Sequence, residues 1–225
     1  MKLFSIKSQI HKFNTAKEFA ETFNIGEGDF ILSNEYIYKP FFGNLNLKSE
    51  VVYLEKYGVG EPTDQIIDLV LATIKGKTFK RIFAVSGGSV IDIAKLLVIK
   101  GNNTALDLFE RKVPIIKDKE LILVPTTAGT GSEVTNISIA EIKAKHTKMG
   151  LAADELYADH AVLIPELVKG LPYRFFVASS IDALIHAIES YVSPKADSYT
   201  ELFSVKAMEL ILNGYVKIIE KRSEE

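Results

Sequence analysis

The chain has 225 residues, 47% of them hydrophobic and 25% charged, with 27 Lys and Arg against 29 Asp and Glu for a formal net charge of −2. This is the balance of an ordinary folded protein; it excludes a disordered or fibrous chain and any broad positive field suited to a nucleic-acid backbone, leaving small molecules as the expected partners. Cysteine is absent, which excludes disulfides, thiolate ligands and cysteine nucleophiles, so any metal must be held by His, Asp or Glu.

Residues 1–7 alternate charged and apolar side chains and lack the continuous apolar core of a signal peptide. No run is expected to reach the roughly 20 apolar residues of a membrane span, so a cytoplasmic location without membrane contact is the default. Short apolar runs at 30–33, 51–54, 81–85, 121–125 and 161–164 predict strands, with helices between them. One such helix spans 63–74, where Ile66, Ile67, Val70, Leu71 and Ile74 share a face between Pro62 and Gly76. The alternation indicates an α/β domain with a mostly parallel sheet. From about 175 to 220 the pattern is helical throughout, so the boundary is placed between 176 and 177, with residues 1–176 and 177–225 as the two parts. The second holds about two helices, too few to make a domain alone, and ends on the charged tail 221–225. No internal repeat or low-complexity stretch is present.

Three motifs carry chemistry. Ser86-Gly87-Gly88-Ser89-Val90-Ile91-Asp92 follows the strand at 81–85 and opens a helix over 90–99. Glycines at such a turn let a phosphate approach the backbone, where free N–H groups and the positive helix end bind its charge; a tight connection with no ligand is the alternative. The loop from Pro125 to Thr135 follows the next strand and concentrates Thr126, Thr127, Thr130 and Ser132 with Gly129 and Gly131. Its hydroxyls suit a ribose and phosphate; a polar loop capping a helix at Ser132 is the alternative. In the helix at 179–191, Asp182 and His186 are four apart, so both face one side and can share a divalent metal or simply each other. His146 lies among lysines in a solvated loop, His160 at a turn and His11 in the N-terminal strand region, none with the spacing of a site.

In this order the three motifs resemble the iron-type (group III) alcohol dehydrogenase family along the whole chain, the loop 125–135 and the segment 181–191 looking like two signature regions of that family. The runs 124–152 and 182–196 look most like members acting on 4-hydroxybutyrate. The resemblance implies an N-terminal α/β dinucleotide-binding domain followed by the start of an all-helical metal-binding domain, a dehydroquinate-synthase-like architecture, with the active site in the cleft between and a homodimer as the assembly. It implies hydride transfer between NAD(P) and a primary alcohol or aldehyde, with a divalent metal, Fe²⁺ or alternatively Zn²⁺, acting as Lewis acid. Gly87, Gly88, Ser89 and Asp92 would lie at the pyrophosphate and nearby ribose, and Thr126, Thr127, Thr130 and Ser132 would line the nucleotide. Lys148 would sit near the nicotinamide ribose. Asn34 stands where many members carry an Asp that reads the ribose 2′-hydroxyl; an Asn removes the charge that repels a 2′-phosphate, so NADP is left open, while the resemblance to members acting on 4-hydroxybutyrate favours NAD. Ser86 takes the place of a third Gly.

Asp182 and His186 would be the first two of four metal ligands, the others being later histidines. The resemblance therefore implies a chain carried only as far as the first metal-ligand helix, truncated, with no further catalytic residue assigned and little or no turnover of its own. A zinc-dependent relative such as glycerol dehydrogenase, a dehydroquinate-synthase-like lyase, or a non-catalytic nucleotide-binding module are the competing readings.

Overall fold

Strands buried on both faces need apolar residues at every position, because a parallel sheet is covered by helices on each side. The computed structural model, which describes residues 4–223, bears this out. In chain order the elements are β1 (Gln9–Lys12), α1 (Ala16–Thr22), β2 (Asp29–Ser33), α2 (Glu35–Phe42), β3 (Glu50–Tyr53), α3 (Asp64–Ile74), β4 (Arg81–Ser86) and α4 (Gly88–Leu97). There follow α5 (Ala105–Phe109), β5 (Glu120–Pro125), β6 (Ile137–Ile142), β7 (Thr147–Ala152), β8 (His160–Leu163), α6 (Pro165–Val168), α7 (Tyr173–Val192) and α8 (Ser198–Ser223). Residues 1–3 of the alternating start and 224–225 of the charged tail lie outside the described residues.

Six strands form a wholly parallel sheet in the order β1-β8-β5-β4-β2-β3. Alternate residues of the central strands feed two cores. Phe30, Leu32, Ile82, Ala84, Leu121 and Leu123 pack on one face with Ile67 and Val70 of α3 and the inner side of α4. Ile31, Phe83, Val85, Ile122 and Val124 pack on the other with Phe19 of α1 and Ile37 and Phe42 of α2. The helix at 63–74 forms as expected, with the Thr63 hydroxyl accepting from the Ile66 N–H at 3.2 Å as its N-cap.

Beyond the five strands predicted as apolar runs, the structure has β1, within the N-terminal strand region expected around His11, and two strands that the sequence reading lacked. β1 is short and polar at the sheet edge, and β6 and β7 form a separate antiparallel hairpin where helices were expected between strands. The hairpin turns at His146, held in the left-handed region at φ 49°. The α4 helix begins at Gly88 rather than at residue 90.

Compactness divides the chain into two units, one of Ile6–Thr126 with Ser132–Gly170 and one containing Leu171 onward with Thr127–Gly131. The helical unit thus begins at Leu171, and α7 runs without a break across the expected 176/177 boundary. Within it, the Ser180 and Tyr215 hydroxyls join α7 to α8 at 2.7 Å. Pro194 follows the end of α7, and Asp197 Oδ1 restarts the helix by accepting the N–H groups of Tyr199 and Thr200 at 3.0 and 2.9 Å. Ala187 is the one described apolar residue buried on these two helices, while Ile181, Ile185, Leu202 and Leu210 are exposed. By length and composition α7 is apolar enough to cross a membrane, with mean hydropathy 1.3. That corrects the expectation that no stretch would qualify; apolar side chains occupy more than one side of this helix, in addition to the polar Asp182, His186 and Glu189.

At the opposite end of the sheet from the strand C-termini, Arg81 grips the buried Asp29 with two bonds, Nε to Oδ1 at 2.8 Å and an Nη to Oδ2 at 2.7 Å, and reaches the Phe23 carbonyl at 2.8 Å. Removing one partner leaves a buried charge unpaired, which is costly. Arg81→Met is expected to lower unfolding free energy by about 3 kcal/mol in urea titrations. Lys39→Met, which breaks an exposed i,i+4 pair with Glu35, is expected to cost under about 0.5 kcal/mol.

Candidate functional site

In the sheet order, β2 lies between β3 and β4, so the connection from β2 to β3 runs one way and that from β3 to β4 returns past it. Such a reversal leaves a crevice beyond the strand C-termini where α/β sheets take their ligands. The register levels those ends: Ser33 pairs with Val85 across β2 and β4, and Ser86 with Pro125 across β4 and β5. Asn34 therefore stands level with Ser86, and Gly87 and Thr126 follow one residue further along the same edge.

Ser86 joins the row together. Buried at the end of β4, its hydroxyl donates to Asn34 Oδ1 and its carbonyl accepts the Thr126 N–H at 3.1 Å. Asn34 is the N-cap of α2 by backbone geometry but makes no side-chain cap bond, its carbonyl oxygen being turned to Ser86. The serine in place of a third glycine thus has a structural use at the switch between strands.

Gly87 is the N-cap of α4 at φ −76° and ψ −177°, a conformation any residue adopts. What glycine supplies here is the missing side chain. The helix start has no side-chain cap, and Gly87, Gly88 and the half-buried Ser89 leave first-turn N–H groups and the positive helix end for an anionic ligand.

Asp92 and Ser132 come together, around a residue that the sequence reading missed. Lys95 is fully buried in α4. Its ammonium donates to Ser132 Oγ at 2.7 Å, Thr135 Oγ1 at 3.1 Å and the Ile137 carbonyl at 2.7 Å, so all three protons are used. Ser132 in turn donates to Asp92 Oδ1 at 2.6 Å, Asp92 Oδ2 accepts the Ile139 N–H at 3.1 Å, and Lys95 lies 3.6 Å from Asp92. Burial pushes the Lys95 ammonium down to about 8, against the opposing pull of Asp92. Burial likewise raises the Glu133 carboxyl. A lone lysine inside the apolar run 90–99, one turn after an aspartate, was the signal that the sequence offered.

Thr127–Gly131 belongs with the helical unit. There Gly129 lies so close to α7 that a Cβ would stand 2.8 Å from the Ser179 carbonyl oxygen. Thr127 is half-buried and Thr130 exposed, while Thr126 is buried beside Ser86. Lys148 is exposed on β7 and pairs with Glu61 at 2.5 Å; it is not gathered with the row of strand ends.

Asp182 and His186 face each other on α7, Oδ2 to Nδ1 at 3.6 Å, with about half of each side chain exposed. Carboxylate oxygen and imidazole nitrogen suit Fe²⁺ or Zn²⁺, so the donor types fit. Among the described residues no third His, Asp or Glu joins them into a metal-binding group. His160, expected at a turn, opens β8 instead and bridges His11 at 2.9 Å and Glu120 at 3.0 Å. Burial, then the neighbouring His160, lowers the His11 imidazole.

These features define a doubly wound parallel α/β protein with its ligand edge at the strand reversal, followed by helices. The model of the iron-containing alcohol dehydrogenases matches residues 11–165, and that of the C-terminal part of the Fe-containing alcohol dehydrogenase family matches residues 176–225. The chain belongs to the iron-containing alcohol dehydrogenase family, a family of oxidoreductases. It is 59% identical over 224 residues to 4-hydroxybutyrate dehydrogenase of Clostridium kluyveri, covering 100% of this chain and 60% of that protein. Long-chain-alcohol dehydrogenase 1 of Geobacillus thermodenitrificans is 36% identical over 74% of this chain and 43% of its own length. The chain therefore spans 60% or less of these relatives. The fold is also that of sulfoacetaldehyde reductase from Bifidobacterium kashiwanohense in complex with NAD⁺, with TM-score 0.80 at 20% identity over 94% of this chain and 58% of that one. NADH-dependent butanol dehydrogenase A from Thermotoga maritima gives 0.79 at 20% identity, over 98% and 58%.

Gly129→Ala is expected to lower the thermal midpoint, at a cost of about 1–3 kcal/mol, because the new methyl meets backbone rather than a movable side chain. Lys95 has a pH consequence of definite sign. Its folded pKa of about 8 lies below its ordinary 10.5, so between those values the unfolded chain binds the extra proton. Stability contributed by this group therefore rises with pH across that window and is flat below it. Wild type should gain about 3 kcal/mol relative to Lys95→Met between roughly pH 7.5 and 10.5, read from paired urea titrations.

Proposed function

We propose that these residues are the dinucleotide-binding part and first metal-ligand helix of an NAD-linked, metal-dependent alcohol dehydrogenase. Its substrate is a primary alcohol or aldehyde, 4-hydroxybutyrate and succinate semialdehyde in the first instance. The observation that carries the reading is the grouping of Asn34, Ser86, Gly87 and Thr126 at the C-terminal ends of adjacent strands at the reversal, in a chain whose whole length is 59% identical to part of a 4-hydroxybutyrate dehydrogenase.

On this reading the N–H groups at Gly87, Gly88 and Ser89 take the pyrophosphate, and Thr126, Thr127 and Thr130 supply hydroxyls along the nucleotide. Asn34 faces the adenosine ribose as a neutral amide that sets no charge against a 2′-phosphate and so leaves NADP open, and NAD is proposed from the solved structures of like fold, one in complex with NAD⁺ and one NADH-dependent. Asp92 and Ser132 serve through their bonds to each other and to Lys95, and Lys148 stands outside the row as an exposed cation near the nicotinamide ribose. Asp182 and His186 hold the divalent ion together with ligands outside this stretch. When bound, that ion supplies Lewis acidity at the alcohol oxygen and the nicotinamide accepts the hydride. The whole protein is a soluble cytoplasmic homodimer.

With added Fe²⁺, the 225-residue chain is expected to bind NAD⁺ and to oxidise 4-hydroxybutyrate, followed as NADH absorbance, far more slowly than the ~1–10³ s⁻¹ usual for enzymes. Turnover in the usual range would sink the half-site reading of Asp182 and His186. Failure to bind either NAD⁺ or NADP⁺ in calorimetry would sink the nucleotide reading. Asn34→Asp should weaken NADP⁺ about tenfold more than NAD⁺, since it adds a charge facing only the 2′-phosphate.

A further inference from the structure

The most deeply buried charge in the described residues is the Lys95 ammonium, and the proposed nucleotide role gives it no contact with the ligand. A methionine would fill a similar volume without desolvating a charge, so the lysine is retained for bonds an apolar side chain lacks. Those bonds all run to one segment: Ser132 and Thr135 through their hydroxyls and Ile137 through its carbonyl. Asp92, one turn earlier on α4, holds the same segment through Ser132 and the Ile139 N–H, and the Ser138 hydroxyl donates to the Asp92 carbonyl at 2.8 Å.

We propose that Lys95 is a positioning residue for the nucleotide site, fastening Ser132–Ile139 to the helix whose first turn takes the phosphates. The proposal rests on the nucleotide reading above. The stretch 127–131 is flanked by two clamps on the α/β unit. On one side the Thr126 N–H is bonded to the Ser86 carbonyl. On the other, Ser132 is held by Lys95 and Asp92 together. Both clamps lead back to β4 and α4, the strand and helix that carry the Gly87–Ser89 turn. The spacing between the glycine turn and the ends of the hydroxyl-rich loop is thus set by side chains that need not touch the nucleotide.

The charge state bears on the clamp. A neutral lysine keeps two protons for three acceptors and no longer balances Asp92. The charged groups facing it are Asp92 on α4 and Glu133 on the 3-10 turn Ser132–Val134, and its other partners are neutral.

The test compares wild type with Lys95→Met, by NAD⁺ calorimetry from about pH 7 to 9 and by amide exchange of the ligand-free chain. Expected at pH 7 is an affinity lower by about tenfold, the worth of one or two hydrogen bonds. Amides of 132–139 should exchange faster while those of β4 and β5 keep their protection. Wild-type affinity should decline above pH 8 and that of the variant stay level. Wild-type affinity in the variant, parallel pH profiles, or faster exchange spread equally through β4 and β5 would overturn the proposal. If wild type binds no NAD⁺, the nucleotide reading fails on its own, and the exchange experiment still decides the fastening: local loosening at 132–139 upholds it and unchanged exchange overturns it. Should Lys95→Met not fold, Ser132→Ala removes one acceptor and the bridge to Asp92; a loss of about threefold in affinity supports the proposal and none overturns it.

Discussion

Parallel neighbours cannot be joined by hairpins, so each connection in the six-stranded sheet must cross one of its faces. Much of the molecule follows from that constraint. Crossings in both directions cover both faces, which is why every position between the ends of β2, β4 and β5 is apolar. The point where the direction reverses cannot be covered in the same way, and it falls between β2 and β4. Asn34 and Ser86 meet there through one hydrogen bond, and the helix that leaves β4 starts on two glycines. The ligand edge is thus a consequence of chain topology, and residues with short side chains keep it open.

That logic also separates what was legible in the sequence from what was not. The five predicted strands were readable because each carries a short, continuous apolar run between turn residues, a pattern that suits a strand covered on both faces. β1, with the sequence Gln-Ile-His-Lys, is an edge strand whose polar residues resemble a loop, and β7 is mostly exposed. The glycine turn and the hydroxyl-rich loop were visible because their chemistry is local. The pairing of Asp92 with Ser132 was not, since 40 residues separate them and both look like nucleotide contacts in isolation. In the folded chain their side chains are engaged with each other and with Lys95, the lone lysine within the apolar run of α4.

The buried ammonium imposes a second constraint. Desolvating a charge is unfavourable, and the lowered Lys95 pKa is a direct expression of it. A helix facing an apolar core could be more stable with methionine there. Lysine instead offers three directed bonds to a segment with little apolar contact of its own, and Asp92 supplies the compensating charge. Stability is given up at one position so that a loop of small residues has one conformation.

The metal donors lack a comparable frame. Asp182 and His186 owe their proximity to helical spacing alone, on a turn of α7 that is half exposed. A carboxylate and an imidazole one turn apart on a helix surface would be unremarkable in most proteins, because the same geometry serves equally as a solvated ion pair. Family membership gives the pair its meaning, and the rest of a coordination shell would have to come from residues beyond these. The proposed nucleotide edge is different in kind: strand register, the Ser86 bridge and the bonds of Lys95 hold its residues from within the α/β unit. On the proposed reading, cofactor binding and activation of the alcohol therefore draw on separate elements, the first on the sheet and the second on α7.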